Sequence, residues 1–318
     1  NIEDFVVNIK NFGAKGDGVN DDSIALRLAY DFIIKKNGGG IIYVPPTKEY
    51  YSLKSYDETS VEKVALNIRH ENISIMGGGS SSLLKCDVMY HSVFFSNTKI
   101  SRLTINDIKV HSNSLANYFL HIPNNWVPYL YVSRCELYHF NESTIKVHTY
   151  VATFDRVIMN GGVNSKIGLD LQMLNGTYNT SVNVQNCYAL SFNECGYFIQ
   201  SVYSNLTACA CDLVNGVAYK LYLRGSSVNG CGCEQVDKAI ELNGFGVDIN
   251  GFYGLKVGSK DSSKPTNFLL DIGTGKDVTI KGVEFIDSAS DVRYYNKKCG
   301  VSSASYGSEN VVVVDGCL

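Results

Sequence analysis

The sequence predicts an all-β chain wound as a right-handed, single-stranded parallel β-helix, with a short α-helix capping its start. Three observations carry this. Cys187, Cys209 and Cys231 lie 22 residues apart, and Cys211 and Cys233 repeat the same interval. A fixed period in the twenties marks a solenoid, whose repeats bury their apolar face only by stacking on one another. Around these markers apolar and polar residues alternate with the strand period of two. Examples are Leu206-Thr-Ala-Cys209-Ala-Cys211-Asp212 and Val228-Asn-Gly-Cys231-Gly-Cys233-Glu234. A second strand follows each marker (Ile145-Lys-Val147, Tyr197-Phe-Ile199, Tyr219-Lys-Leu221), and no helical period separates the two. Coil therefore packs on coil.

The elements follow in order. Asp21 or Asp22 is placed to N-cap a helix whose stripe is Ala25, Leu28, Ala29, Phe32 and Ile33. Lys35 and Lys36 suit its C-terminal dipole, and Asn37-Gly38-Gly39-Gly40 ends it. Such a helix covers the open end of a solenoid, so 1–40 reads as the cap and 41–318 as one continuous β-helix. About a dozen coils at about 4.8 Å per rung predict a rod of about 60 Å. Asn141, Asn193, Asn215 and Asp237, six residues past their markers, predict a corner ladder in left-handed backbone. The interval from Val157 to Cys187 lengthens to 30. Gln172–Thr180 therefore reads as an emerging loop carrying Tyr178, and Pro123–Tyr129 as a second irregular stretch carrying Trp126.

Composition excludes several classes. The chain has 28 Lys and Arg against 31 Asp and Glu, a net charge of −3 without the basic excess of a nucleic-acid binder. No apolar run reaches the roughly 18 residues of a transmembrane helix, so no membrane insertion is expected. With 45% hydrophobic and 19% charged residues the chain can bury a large core. The start, Asn1-Ile2-Glu3-Asp4-Phe5, lacks Met and a signal region and reads as a piece of something longer. Cysteines at i and i+2 of a strand face the same way, and an inward stack is favoured over a four-thiolate zinc site. No metal or cofactor is expected.

The stretches Asn11-Phe-Gly-Ala-Lys-Gly-Asp-Gly-Val-Asn-Asp-Asp22 and Gly39-Gly-Ile-Ile-Tyr-Val-Pro45 resemble the opening of the pectate-lyase-like β-helix superfamily. Cys209-Ala-Cys211-Asp212-Leu-Val-Asn215 and Asn229-Gly-Cys231-Gly-Cys233-Glu234 are similar to coils of bacteriophage tailspikes that degrade surface polysaccharide. That resemblance implies a homotrimer at the virion tail acting on a bacterial capsular or surface polysaccharide. The Asn-Thr-Asp, Gly-His-Gly and Arg-Ile-Lys motifs of polygalacturonases are missing, as is the acidic cluster of calcium pectate lyases, so neither activity is carried over.

Glycoside hydrolysis needs two carboxyl groups, about 5 Å apart for retention or about 6.5–9.5 Å for inversion. Equivalent positions on adjacent coils are about 4.8 Å apart, near the first spacing, and alternate coils give the second. Asp212 and Glu234 share a register, with turn stabilisation as their competing role. The second strand is expected to align His148, Asp170, Gln200, Tyr222 and Asn243, with Lys146, Phe198, Lys220 and Glu241 beside them. Asp155 between Ser133 and Gln185 reads as structural. The expected catalytic acids are Asp170, Asp212, Glu234 and Glu241, and the expected sugar-binding residues Trp126, His148, Tyr178, Lys220 and Tyr222. Hydrolysis is the favoured reaction. β-Elimination on a uronate, with base and cation drawn from Lys146, His148, Lys220 and Tyr222, is the alternative; a non-catalytic glycan-binding module is the third.

Overall fold

The computed structural model describes residues 5–258, 270–271, 276–286, 301–302 and 312–315; the remainder of the expected 41–318 rod lies outside them. Within them the strands form two sheets, of 19 and 10 strands, and every registered pair is parallel. One coil illustrates the path. The strand Val217–Asn229 bends at Arg224-Gly225 (Gly225 φ 54°), so its two halves face different directions. Gly230 (φ 57°) turns the chain into the buried marker Cys231, and the three-residue strand Gly232–Glu234 closes the coil. The long sheet thus makes two walls of the rod and the short sheet the third.

The cysteine column is present. Cys187, Cys209 and Cys231 are buried, and the amide after each marker bonds the carbonyl of the marker below: Ala210 N to Cys187 O, Gly232 N to Cys209 O, both 3.0 Å. Their thiols donate inward, Cys187 Sγ to Phe154 O and Cys209 Sγ to Val184 O, each at 3.4 Å. A second inner column in the short sheet runs Leu137, Met159, Ala189, Cys211, Cys233. Next to it Tyr197 and Tyr219 stack at 5.0 Å and 7°, and their hydroxyls donate to Ala210 O and Cys209 O. The cysteines are small core residues here, and burial pushes the Cys135 and Cys195 thiols up to about 12.

Two expectations need correction. The asparagine ladder exists: Asn215 Nδ2 donates to Asn193 Oδ1 at 3.1 Å and Asn141 Nδ2 to Ser114 O at 3.0 Å. Its backbone, however, is not left-handed. The positive-φ residues lie two positions earlier, at His139, Ser191, Leu213 and Gln235. A strand of only three residues must reverse at its very end, and the asparagines then brace the far side of the turn.

The cap helix spans Ser23–Asn37 and ends on left-handed Gly38. It buries Ala25, Leu26, Ala29, Tyr30 and Ile33, whereas Leu28 and Phe32 are 49% and 46% exposed. The helix is rotated because Tyr30 turns in to accept the Arg69 and His70 amides at 2.6 and 3.1 Å, capping two otherwise unpaired donors. Asp22 is the N-cap residue, yet its carboxylate reaches sideways to the amides of Lys15 (2.6 Å) and Ser52 (3.0 Å). Ahead of the helix, Val6–Asn8 pairs with Ile41–Tyr43 and adds a rung to the long sheet.

Both irregular stretches leave the rod on one side. Leu174 and Thr177 exchange hydrogen bonds of 3.1 and 3.0 Å around Asn175-Gly176, both at positive φ, a two-residue hairpin of the primed-turn kind. Buried Asn179 returns the chain to the sheet, accepting from Thr149 N at 2.8 Å and donating to Leu171 O and Gln200 O. In the strand Ala116–Ser133, His121 faces Lys146 but Trp126 faces His148, so three extra residues bulge out between them. Ser133, Asp155 and Gln185 share one register, and Asp155 is tied to Gln185 and Arg156. No helix among the described residues is long and apolar enough to cross a membrane.

Candidate functional site

The first half of the long sheet carries the site. Its outward column reads His121, Lys146, Asp170, Phe198, Lys220, Glu241, with Gln200, Tyr222 and Asn243 in the column beside it. This corrects the expected alignment of His148, Asp170 and Gln200. The turn Gly161–Lys166 is two residues longer than its counterpart in the coil above, so Asp170 slides opposite Lys146 instead of His148.

The four expected acids are not brought together. Asp170 has no exposed surface; its Oδ2 accepts from Ser143 Oγ at 3.1 Å and pairs with Lys146 Nζ at 3.2 Å, while Oδ1 has no partner. Glu241, three rungs on and so about 14 Å away, pairs with Lys220 (4.0 Å) and Lys238 (3.5 Å). Asp212 and Glu234 are rung neighbours, as expected, but on the short sheet, a different wall. Burial raises the Asp212 carboxyl, opposed by the Tyr188 hydroxyl donating to it at 2.8 Å.

Next to Asp170 the sheet assembles residues that the sequence reading left out. His91 Nε2 and His121 Nδ1 are 2.8 Å apart, and His91 Nδ1 lies 3.6 Å from Glu62 Oε2. The carboxylate favours the proton on His91 Nδ1, so His91 Nε2 accepts from His121 Nδ1 and the lone pair of His121 Nε2 is left free. Tyr118 stacks on His121 at 4.1 Å and 21°. Burial, then the positive charges of His91, Lys146 and His148, drives His121 down to about 3, so it is neutral. Burial raises the Tyr118 phenol, and the negative charges of Glu142 and Asp170 add to that. The signal in the sequence is Tyr118-Phe-Leu-His121, an i, i+3 pair just ahead of the irregular Pro123 stretch, in a coil that has no cysteine marker.

Of the expected sugar-binding residues, Trp126 and His148 lie beside this cluster, whereas Tyr178, Lys220 and Tyr222 lie on later coils. His148 is buried and donates Nδ1–H to Gln172 O at 2.7 Å. Burial lowers it, against the pull of the Gln172 and Pro123 carbonyls and Asp170, and it serves as a clamp between bulge and hairpin. Trp126 lies tilted over His148 (5.9 Å) and stacks on exposed Tyr150 (4.6 Å, 18°). Tyr178 packs on the Arg224 guanidinium at 4.7 Å; Lys220 lies over Phe198 at 5.0 Å, and Tyr222 is 6.0 Å from that ring. Among the described residues no group of three or more His, Cys, Asp or Glu is placed to hold a metal ion.

The fold recurs in known structures. It superposes on the gp42 tailspike of Acinetobacter phage vb_AbaP_AS12 with a TM-score of 0.66 at 14% identity, covering 98% of this chain and 61% of that one. The fold resembles that of phage tailspikes and epimerase A-modules. The mannuronan C-5 epimerase AlgE6 A-module of Azotobacter vinelandii superposes at a TM-score of 0.55, with 16% identity and 98% and 94% coverage. DFA-IIIase of Arthrobacter chlorophenolicus A6, without its lid, gives 0.64 at 10% identity and 98% and 94% coverage. In sequence, 72 residues, 23% of the chain, are 43% identical to alginate lyase 7 of Azotobacter vinelandii. The match spans 8% of that protein's length. No family model matches the chain. The architecture is one shared by carbohydrate-active enzymes and phage tail proteins.

Proposed function

We propose that the chain cleaves an acidic, uronate-containing bacterial surface polysaccharide by β-elimination on the first half of its long sheet. One observation carries the reading: a neutral imidazole, a stacked phenol and a lysine held by a buried carboxylate occupy adjacent coils of one outward wall. Each has a task. Lys146 pairs with the uronate carboxylate and stabilises the charge that grows there as the C5 proton leaves. His121 Nε2 accepts that proton, with His91 and Glu62 holding its tautomer. The released electron pair forms the C4–C5 double bond, the C4–oxygen bond breaks, and Tyr118, kept protonated, gives its proton to the departing oxygen. Asp170 and Ser143 hold the Lys146 ammonium in place.

Two of the three matching sequences are named as an alginate lyase and a mannuronan epimerase, which supports a uronate substrate; the third is named as a plasmin and fibronectin-binding protein. The likeness to tailspikes supports a place at a virion tail; the homotrimer, and action at the bacterial surface, belong to this proposal as what the sequence resemblance implies. A second reading, hydrolysis by Asp212 and Glu234, is favoured by their rung spacing of about 4.8 Å and the raised Asp212 carboxyl. Product analysis on purified uronate polymers and capsules separates these. Elimination leaves an unsaturated uronate with its own ultraviolet absorbance, and Lys146→Met should lower kcat/KM by roughly a hundredfold or more. New reducing ends without that absorbance, abolished by Asp212→Asn, establish hydrolysis instead; no cleavage of any polymer leaves a binding module.

A further inference from the structure

Where the long strands bend, aromatic side chains stay at the surface instead of folding into the core. Trp126 and Tyr150 form a near-parallel pair at the level of the reacting cluster, and Tyr150 is 41% exposed. In the following coils come Tyr178 on the hairpin, Tyr203, and then Arg224 and Phe245 on adjacent rungs. Tyr203 is 72% exposed at φ 55°, a backbone region that tyrosine rarely adopts, and Gly225 in the next coil leaves room for its ring. The Arg224 guanidinium lies between two rings, 4.7 Å from Tyr178 and 5.4 Å from Phe245. Among the described residues no carboxylate forms an ion pair with it. From the Tyr150 coil to the Phe245 coil is four rungs, about 19 Å along the rod.

We propose that this corner is an extended binding stripe, along which several sugar rings of an anionic glycan lie parallel to the rod axis, leading from the cluster at Lys146. Flat aromatic faces accept the apolar faces of pyranose rings, and exposed rings on successive coils provide them repeatedly. An arginine within reach of two rings, with no carboxylate paired to it among the described residues, selects a carboxylate on the chain, because its charge is left unmet. The stripe rests on the glycan reading above and narrows it: the substrate is a long acidic polymer, not a short oligosaccharide.

Trp126 is the single tryptophan of the chain, so its fluorescence reports occupancy at the near end of the stripe. The probes are carbon-linked uronate octasaccharide and disaccharide, whose bridging methylene can leave neither by elimination nor by hydrolysis, and a carbon-linked neutral glucan octasaccharide. The uronate octasaccharide should shift the emission and bind more tightly than the neutral one. Phe245→Ala and Arg224→Gln should each weaken it about tenfold while leaving disaccharide affinity unchanged. Both side chains are exposed, so the variants keep the fold, which an unchanged unfolding midpoint checks; Phe245→Trp should restore binding. Equal octasaccharide affinity in the wild type and both variants would overturn the stripe. Loss of affinity in the variants without unsaturated products from the wild type would uphold the stripe and remove the elimination chemistry alone.

Discussion

Asp170 is a carboxylate with no exposed surface, and one lysine, a third exposed, lies against its charge. Removing one member of such a pair strands the other, whereas removing both does not. Lys146→Met should therefore destabilise the protein by about 1–3 kcal/mol, below the full cost of breaking a buried pair because solvent already screens the lysine. Adding Asp170→Asn should restore much of that loss without restoring cleavage. Urea midpoints and kcat measured on both variants check this, and a double variant no more stable than Lys146→Met would mean that the pair is not what holds Asp170. The sequence drew attention to Asp170 but mispaired it. Its partner is decided by two extra residues in the turn Gly161–Lys166, and nothing in the strand itself records on which side of it they fall.

The elements most legible in advance are those governed by a repeated short-range rule. The 22-residue interval placed Cys187, Cys209 and Cys231 in a column because every coil there has the same length, and Asn175-Gly176 sits at the tip of the expected insertion. The cap helix was legible as a helix but not in its rotation, since neighbouring stripes both read as apolar and only the long-range bonds of Tyr30 choose between them. The Tyr118–His121 cluster was not legible, because it is assembled by registers across four coils rather than by local spacing. The tightness of the columns is itself testable. A Cβ on Gly196 would stand 2.1 Å from Cys211 Sγ and 2.9 Å from Ala218 O. Gly196→Ala should cost about 1–3 kcal/mol through overpacking, and Cys211→Ala in the same chain should recover part of it. Thermal unfolding of the two variants tests this; additive losses would mean that the two positions do not share one packed column.

Across the whole molecule the titrating groups fall into windows of different sign. Four of the six histidines, His91, His111, His121 and His148, are held below their ordinary value of 6.5, with burial the largest cause in each. A histidine lowered in the folded state leaves the unfolded chain binding more protons between the two values, so stability rises with pH there and is lost on acidification. Asp21, Glu136 and Asp155, lowered by their hydrogen bonds and, for the last two, by paired cations, act in the same direction but only below the ordinary carboxylate range. Asp22 and Asp212, raised by burial, act in the opposite direction just above it. Between about pH 7 and about pH 5 the histidines therefore dominate, and the urea midpoint should fall steadily as acid is added. His121, driven down to about 3, contributes over the widest span, so His121→Gln should visibly flatten that slope. An unchanged slope would mean that His121 takes up its proton in the folded chain as readily as in the unfolded one, and burial would then not be what keeps it a free base.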